Sequence, residues 1–103
     1  MRLGLVVTDE RCGQYAFDLL DAALARGWSV RCFFSDRGVL VLGDSRVSRY
    51  LEDSKVMMSL CELSVERYPQ AGEVLRRVGD GVLIGGQYQD AELVRNSDQV
   101  IVL

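Results

Sequence analysis

The 103-residue chain contains no histidine. That absence removes Ser-His-Asp and Cys-His catalysis from a single chain. Its three cysteines, Cys12, Cys32 and Cys61, are widely spaced and form no C-x-x-C pair. A structural zinc site needs four N or S ligands, so no metal is expected. There is no G-x-G-x-x-G and no G-x-x-x-x-G-K-[ST], which leaves nucleotide binding without a motif and the chain without an expected cofactor. Pro69 is the only proline, and no Pro-rich linker, repeat or low-complexity tract divides the sequence. Residues 1–103 are therefore read as a single domain. No apolar run approaches the roughly 18 residues of a membrane helix. The first run, MRLGLVV, is too short for a signal-peptide core and stops at Thr8-Asp9-Glu10-Arg11. The expectation is a cytoplasmic protein with reduced thiols and no membrane partner. A net charge of −3 gives no electrostatic reason to expect direct nucleic-acid binding.

What is present is ordinary globular material: 49% apolar and 26% charged residues, enough for one core. Continuous apolar runs predict strands at residues 2–7, 28–34, 56–60, 81–86 and 99–103. Between the first two, Phe17, Leu20 and Leu24 share one helical face and Gln14, Asp18, Asp21 and Ala25 another, with Gly27 as a stop. Residues 35–38 (SDRG) carry turn chemistry. The polar stretch 43–55 has room for a short helix after Ser45. Residues 61–68 read as a helix limited by Pro69, residues 72–78 as a further helical turn, and residues 90–96 as a short helix with Asp90 as N-cap. Strands alternating with helices imply an α/β fold, a flavodoxin-like three-layer sandwich with a five-stranded parallel sheet covered on both faces. The expected strand order is 2-1-3-4-5, which makes strands 1 and 3 neighbours at the switch point where such folds bind ligands.

That order would put Cys61 in the crevice. Free cysteines are mostly small buried hydrophobes. Against that, Cys61 ends a strand, and the helix after it aims backbone N–H groups at the sulfur and favours the thiolate. Glu62 acts the other way. The residues themselves leave the two readings in balance. Cys12, just before the first helix, reads as an incidental loop cysteine. A Cys12–Cys61 disulfide would need Cα atoms within about 7 Å. Cys32, beside Phe33 and Phe34, reads as core. Asp9 and Glu10 recapitulate part of a receiver-type acidic pocket, but Cys61 stands where the phospho-accepting aspartate belongs, so both read as solvated loop acids. Gly85-Gly86 reads as a turn, and Arg46, Arg49 and the Arg76-Arg77 pair as solvated helix faces.

Three blocks, AFDLLDAALARGWSVRCFFSDRGV, VMMSLCELSVERY and DGVLIGGQYQDAELVRNSDQVIVL, together resemble the DsrE/DsrF/TusD-like sulfur-relay family over most of the chain. The resemblance implies that Cys61 corresponds to the sulfur-carrying cysteine of the active subunits. It implies a persulfide carrier, possessing sulfurtransferase activity, that takes sulfur from a donor protein and passes it to an acceptor protein, in tRNA thiolation or in sulfur oxidation or reduction. It also implies a homomeric or mixed oligomer, a trimer or hexamer. Two departures stand out: Arg67-Tyr68-Pro69 replaces the arginine-glycine pair often found beyond the cysteine, and the 43–55 region is short. The alternative is a non-catalytic structural subunit or small-ligand-binding module of the same fold, with Cys61 inert.

Overall fold

Strands form where β-branched and aromatic residues run without helical spacing. They are β1 (Arg2–Val7), β2 (Ser29–Phe34), β3 (Val56–Cys61), β4 (Val82–Gly85) and β5 (Gln99–Val102). The computed structural model describes the backbone of residues 1–103 and the side chains of all but residues 77, 78 and 80. The five strands make one sheet in which every pairing is parallel. The fold is thus the expected α/β sandwich.

The strand order is β4-β3-β2-β1-β5, not 2-1-3-4-5. Each connection from β1 to β4 advances one strand in the same direction, and only the last returns, past β1, to its free edge. Polar contacts at both ends hold β5 there. At its start the Arg2 backbone N–H donates to Asp98 Oδ2 at 2.7 Å, and the two side chains form an ion pair at 3.1 Å. At its end the Thr8 amide and hydroxyl both donate to the Leu103 carbonyl at 2.8 Å. The reversal of strand order therefore falls between β1 and β5, and β2 separates β1 from β3.

The helices are α1 (Gly13–Ala25), α2 (Val47–Leu51), α3 (Glu62–Arg67), α4 (Gln70–Val78) and α5 (Gln87–Asn96). α1 buries Ala16, Phe17, Leu20 and Ala23 on one face and stops before Gly27, whose φ of 77° places it in the left-handed region. α5 begins three residues earlier than its sequence pattern predicts. Gly86 is its N-cap, without a side-chain cap, and Asp90 lies inside the first turn. Here the strand of β4 runs directly into the helix, which leaves no space for a separate Asp90 cap.

A right-handed crossover places its connection on a side set by the direction of travel along the sheet. The connections from β1 to β4 therefore share one face, and α5 alone lies on the other. Side-chain alternation agrees. Leu3, Leu5, Val7, Val30, Cys32, Phe34, Met58 and Leu60 join α1 residues, Val39, Leu42, Val47, Tyr50, Ala71 and Val74 in one core. The opposite face has only a small buried group, including Phe33, Leu93 and Ser59. Gly4 lies directly under α5, where an added Cβ would stand 2.6 Å from Leu93. The two-sided cover that the strands predict is consequently incomplete. Met57 (44% exposed), Leu83 (45%) and Val102 (66%) remain open on the α5 side.

The longest of the elements that the sequence does not announce follows β2. Residues Asp36–Gly43, the first three of which belong to the expected SDRG turn, form a 3-10 helix that buries Val39, Val41 and Leu42. Gly38 makes this possible: a Cβ there would lie 1.9 Å from the Val7 carbonyl oxygen.

Candidate functional site

Cys61 is the last residue of β3 and the N-cap of α3. Its strand neighbour is Gly85 of β4, so it lies between β2 and β4 and not at a β1/β3 crevice. The expected switch-point location is corrected by the strand order. The thiol is nevertheless neither sealed nor fully open: Cys61 is half-buried. Partial burial pushes its pKa up, but the Ser64 hydroxyl, the backbone N–H groups of Ser64 and Leu63, and the Arg67 charge more than offset this. The net direction is down, towards thiolate. Glu62 is exposed.

Ser64 is the residue that links the thiol to the rest of the fold, and it is buried. Its Oγ accepts a hydrogen bond from the Asp36 backbone N–H at 2.7 Å. With that lone pair occupied, the hydroxyl proton is free to be donated to sulfur. Asp36 has a φ of 52°, a left-handed conformation that aspartate tolerates better than most residues. Its carboxylate accepts from the Tyr68 hydroxyl at 2.7 Å and lies 3.7 Å from Arg67 Nη1. α3 is therefore fastened at both ends to the turn after β2. The sequence reading overlooked Ser64. The signal was a serine three residues after a strand-ending cysteine, which the first helical turn carries back towards the sulfur.

The acids after β1 are paired with cations rather than simply solvated. Asp9 accepts from the Arg11 guanidinium and backbone N–H, and these hold its carboxyl down at about 2. Glu10 pairs with Arg37, whose guanidinium also lies 5.5 Å from the Tyr68 ring centre. A chain of contacts thus runs from the end of β1 through Arg37 and Tyr68 to the rim near Cys61.

Cys32 is buried in the core, as its neighbours predict, and burial raises its thiol to about 12. Cys12 is half-buried at the start of α1, and all three cysteines are free thiols. β2 stands between the strands that lead to Cys12 and Cys61. Arg46 is not a solvated helix residue: it binds Asp44 through two nitrogens, reaches Gln14 Oε1 at 2.9 Å and lies over the Phe17 ring at 4.2 Å. Arg49 meets the Tyr50 hydroxyl at 3.0 Å. Arg76 is exposed, whereas the side chain of residue 77 lies outside the described residues. Gly85 ends β4, where an added Cβ would sit 2.2 Å from Gln89 Cγ and the Gln89 side chain would have to move.

No family model, curated protein or solved structure matches this chain. Among the described residues, no group of three or more Cys, Asp or Glu side chains is arranged to hold a metal ion. No helix among them is long and apolar enough to cross a membrane.

Proposed function

We infer that the chain is a sulfur-relay protein in which Cys61 carries a persulfide. The observation that carries this reading is the contrast between two thiols of one chain. Cys61 is accessible at a strand end and shifted towards thiolate, whereas Cys32 is sealed and shifted away from it. The residue singled out by resemblance to the sulfur-relay family is the one with the environment that the chemistry needs.

The Cys61 thiolate attacks the outer sulfur of a donor persulfide, R–S–SH. A new S–S bond forms to Cys61, the donor S–S bond breaks, and the donor leaves as a thiolate. The outer sulfur retains its proton or loses it to water. An acceptor thiolate then attacks that outer sulfur and releases Cys61. Each step exchanges one S–S bond for another, so no external oxidant or reductant is consumed. Rate depends on thiolate fraction, leaving-group pKa and access. The donors that stabilise the Cys61 thiolate also stabilise it as the leaving group in the second step. Donor and acceptor are proteins presenting cysteines, and the reading places the exchange in the cytoplasm. Assembly into a trimer or hexamer, alone or with related subunits, belongs to the same reading. The uncovered apolar side chains on the α5 face support it.

The test is intact-mass measurement after incubation with a persulfide donor and removal of excess donor. The expected result is a gain of one sulfur atom that persists in Cys12→Ser and disappears in Cys61→Ser. A gain that persists in Cys61→Ser, or no gain in the wild-type chain, overturns the carrier role and leaves the non-catalytic module.

A further inference from the structure

The amino ends of the strands carry a second constellation. Strand register places Arg2 beside Ser29, and Gly4, Arg31 and Met57 in one row across β1, β2 and β3. Gly4 lies under α5, so this row faces the α5 side of the sheet. Beside the last residue of α5, Asn96, a cavity of about 220 Å³ opens. Its lining includes Arg2, Ser29, Arg31, Lys55, Met57 and Asn96. Along β3, Met57 and Cys61 are separated by roughly 13 Å at the usual strand rise. This cavity is therefore distinct from the thiol site.

Its cations are not equally committed. Arg2 is held by Asp98 at 3.1 Å, and Lys55 Nζ donates to the Gly27 carbonyl at 3.3 Å. Arg31 is half-buried on the central strand, with Gly4 and Met57 as its lateral neighbours. Among the described residues, its guanidinium has no carboxylate or carbonyl partner. Its guanidinium donors are therefore open to a ligand. Its planar fork matches the two oxygens of a carboxylate. Asp98 neutralises Arg2 and the Gly27 carbonyl engages Lys55, so Arg31 is the cation whose fork is open to a carboxylate. Met57 offers an apolar surface to whatever the carboxylate is attached to.

We propose that the cavity between the amino ends of β1–β3 and the last turn of α5 binds a small monocarboxylate, with Arg31 gripping its two oxygens and Met57 contacting a short apolar tail. The cavity holds about seven waters' worth of liquid volume, which limits the ligand to a few carbons.

The test is an NMR titration of the full chain with sodium butyrate, with inorganic phosphate in a parallel arm, both at constant ionic strength. Butyrate is expected to give saturable shifts at the Ser29 and Met57 amides and the Arg31 Nε–H, with a Kd below about 10 mM. Arg31→Gln weakens binding about tenfold or more, and Arg31→Lys, which keeps the charge without the fork, weakens it severalfold. Arg76→Gln, on the opposite face, leaves it unchanged. The wild-type shift map tests the site independently of how well any variant folds. The proposal is overturned by absence of saturable shifts, by shifts located away from Ser29, Arg31 and Met57, by equal weakening in Arg76→Gln, or by tighter binding of phosphate. It is equally overturned if the Arg31 signal responds only to protein concentration, since the guanidinium is then paired by a second copy.

Discussion

At the scale of single residues, Ser64 does most to distinguish Cys61 from the other thiols. Its hydroxyl is oriented by the Asp36 N–H, so removing it takes away a directed donor. Ser64→Ala is expected to raise the pH midpoint of Cys61 alkylation by about half to one unit, the equivalent of one hydrogen bond of roughly 1 kcal/mol. Alkylation rates followed by mass spectrometry between pH 6 and pH 10 would show it; an unchanged midpoint removes Ser64 from the site. Cys32 should stay unlabelled until the chain unfolds. The two thiols also couple to stability with opposite signs. The folded pKa of Cys61 is lowered, so its contribution is present above the unfolded thiol value and is lost as pH falls through the folded one. That of Cys32 is raised to about 12, so its contribution is present at lower pH and is lost as pH rises through that value. Relative to Cys61→Ser, the wild-type chain should gain stability in urea titrations as pH rises through the lowered folded pKa towards the unfolded thiol value of about 8.5, and gain no more above it. Ending an apolar run made Cys61 a candidate in the sequence, but its residues left a reactive and a core role in balance. The sequence could not reveal Ser64 as its partner, because the Asp36 contact that turns the hydroxyl spans 28 positions.

At the scale of elements, two pieces hold the architecture in ways their own sequences do not announce. The 3-10 segment Asp36–Gly43 sits against the end of β1 only because residue 38 has no side chain. Gly38→Ala should destabilise by about 1–3 kcal/mol or more through forced displacement of backbone, measured as a lower urea midpoint. A null effect would mean that the segment does not pack as described. Helix α5 is fastened by one buried side chain, Leu93. Leu93→Ala should cost roughly 2–4 kcal/mol, and amide exchange in α5 should accelerate more than in α1. Equal exchange in the two helices would show that α5 has other anchors. The amphipathic pattern of α1 was legible because its apolar residues recur at helical spacing. The 36–43 segment was not: its buried residues, Val39, Val41 and Leu42, have no repeat long enough to announce a helix.

At the scale of the whole molecule, unequal cover of the sheet is the dominant feature. One face is packed under three connections, and the other is partly bare beneath a single ten-residue helix. If the bare apolar side chains are where copies or related subunits meet, Leu83→Glu should dissociate the assembly in sedimentation equilibrium while leaving the circular dichroism spectrum unchanged. A wild-type chain that sediments as a monomer at high concentration would remove the assembly from the proposed function. The same asymmetry leaves the Arg31 cavity open to solvent.

Local chemistry determined the five strands and the main helices between them. Apolar runs made strands, helical spacing made α1, and the lack of histidine removed Ser-His-Asp and Cys-His catalysis from a single chain. Which strands are neighbours was decided only by tertiary structure. Near-continuous apolar strands carry no label for left or right, and the side of β1 that β5 occupies depends on contacts such as Arg2 with Asp98, 96 positions apart. The same pairing moved Cys61 away from a β1/β3 crevice and set it opposite Gly85, because parallel register is chosen by the assembled sheet and not by either strand alone.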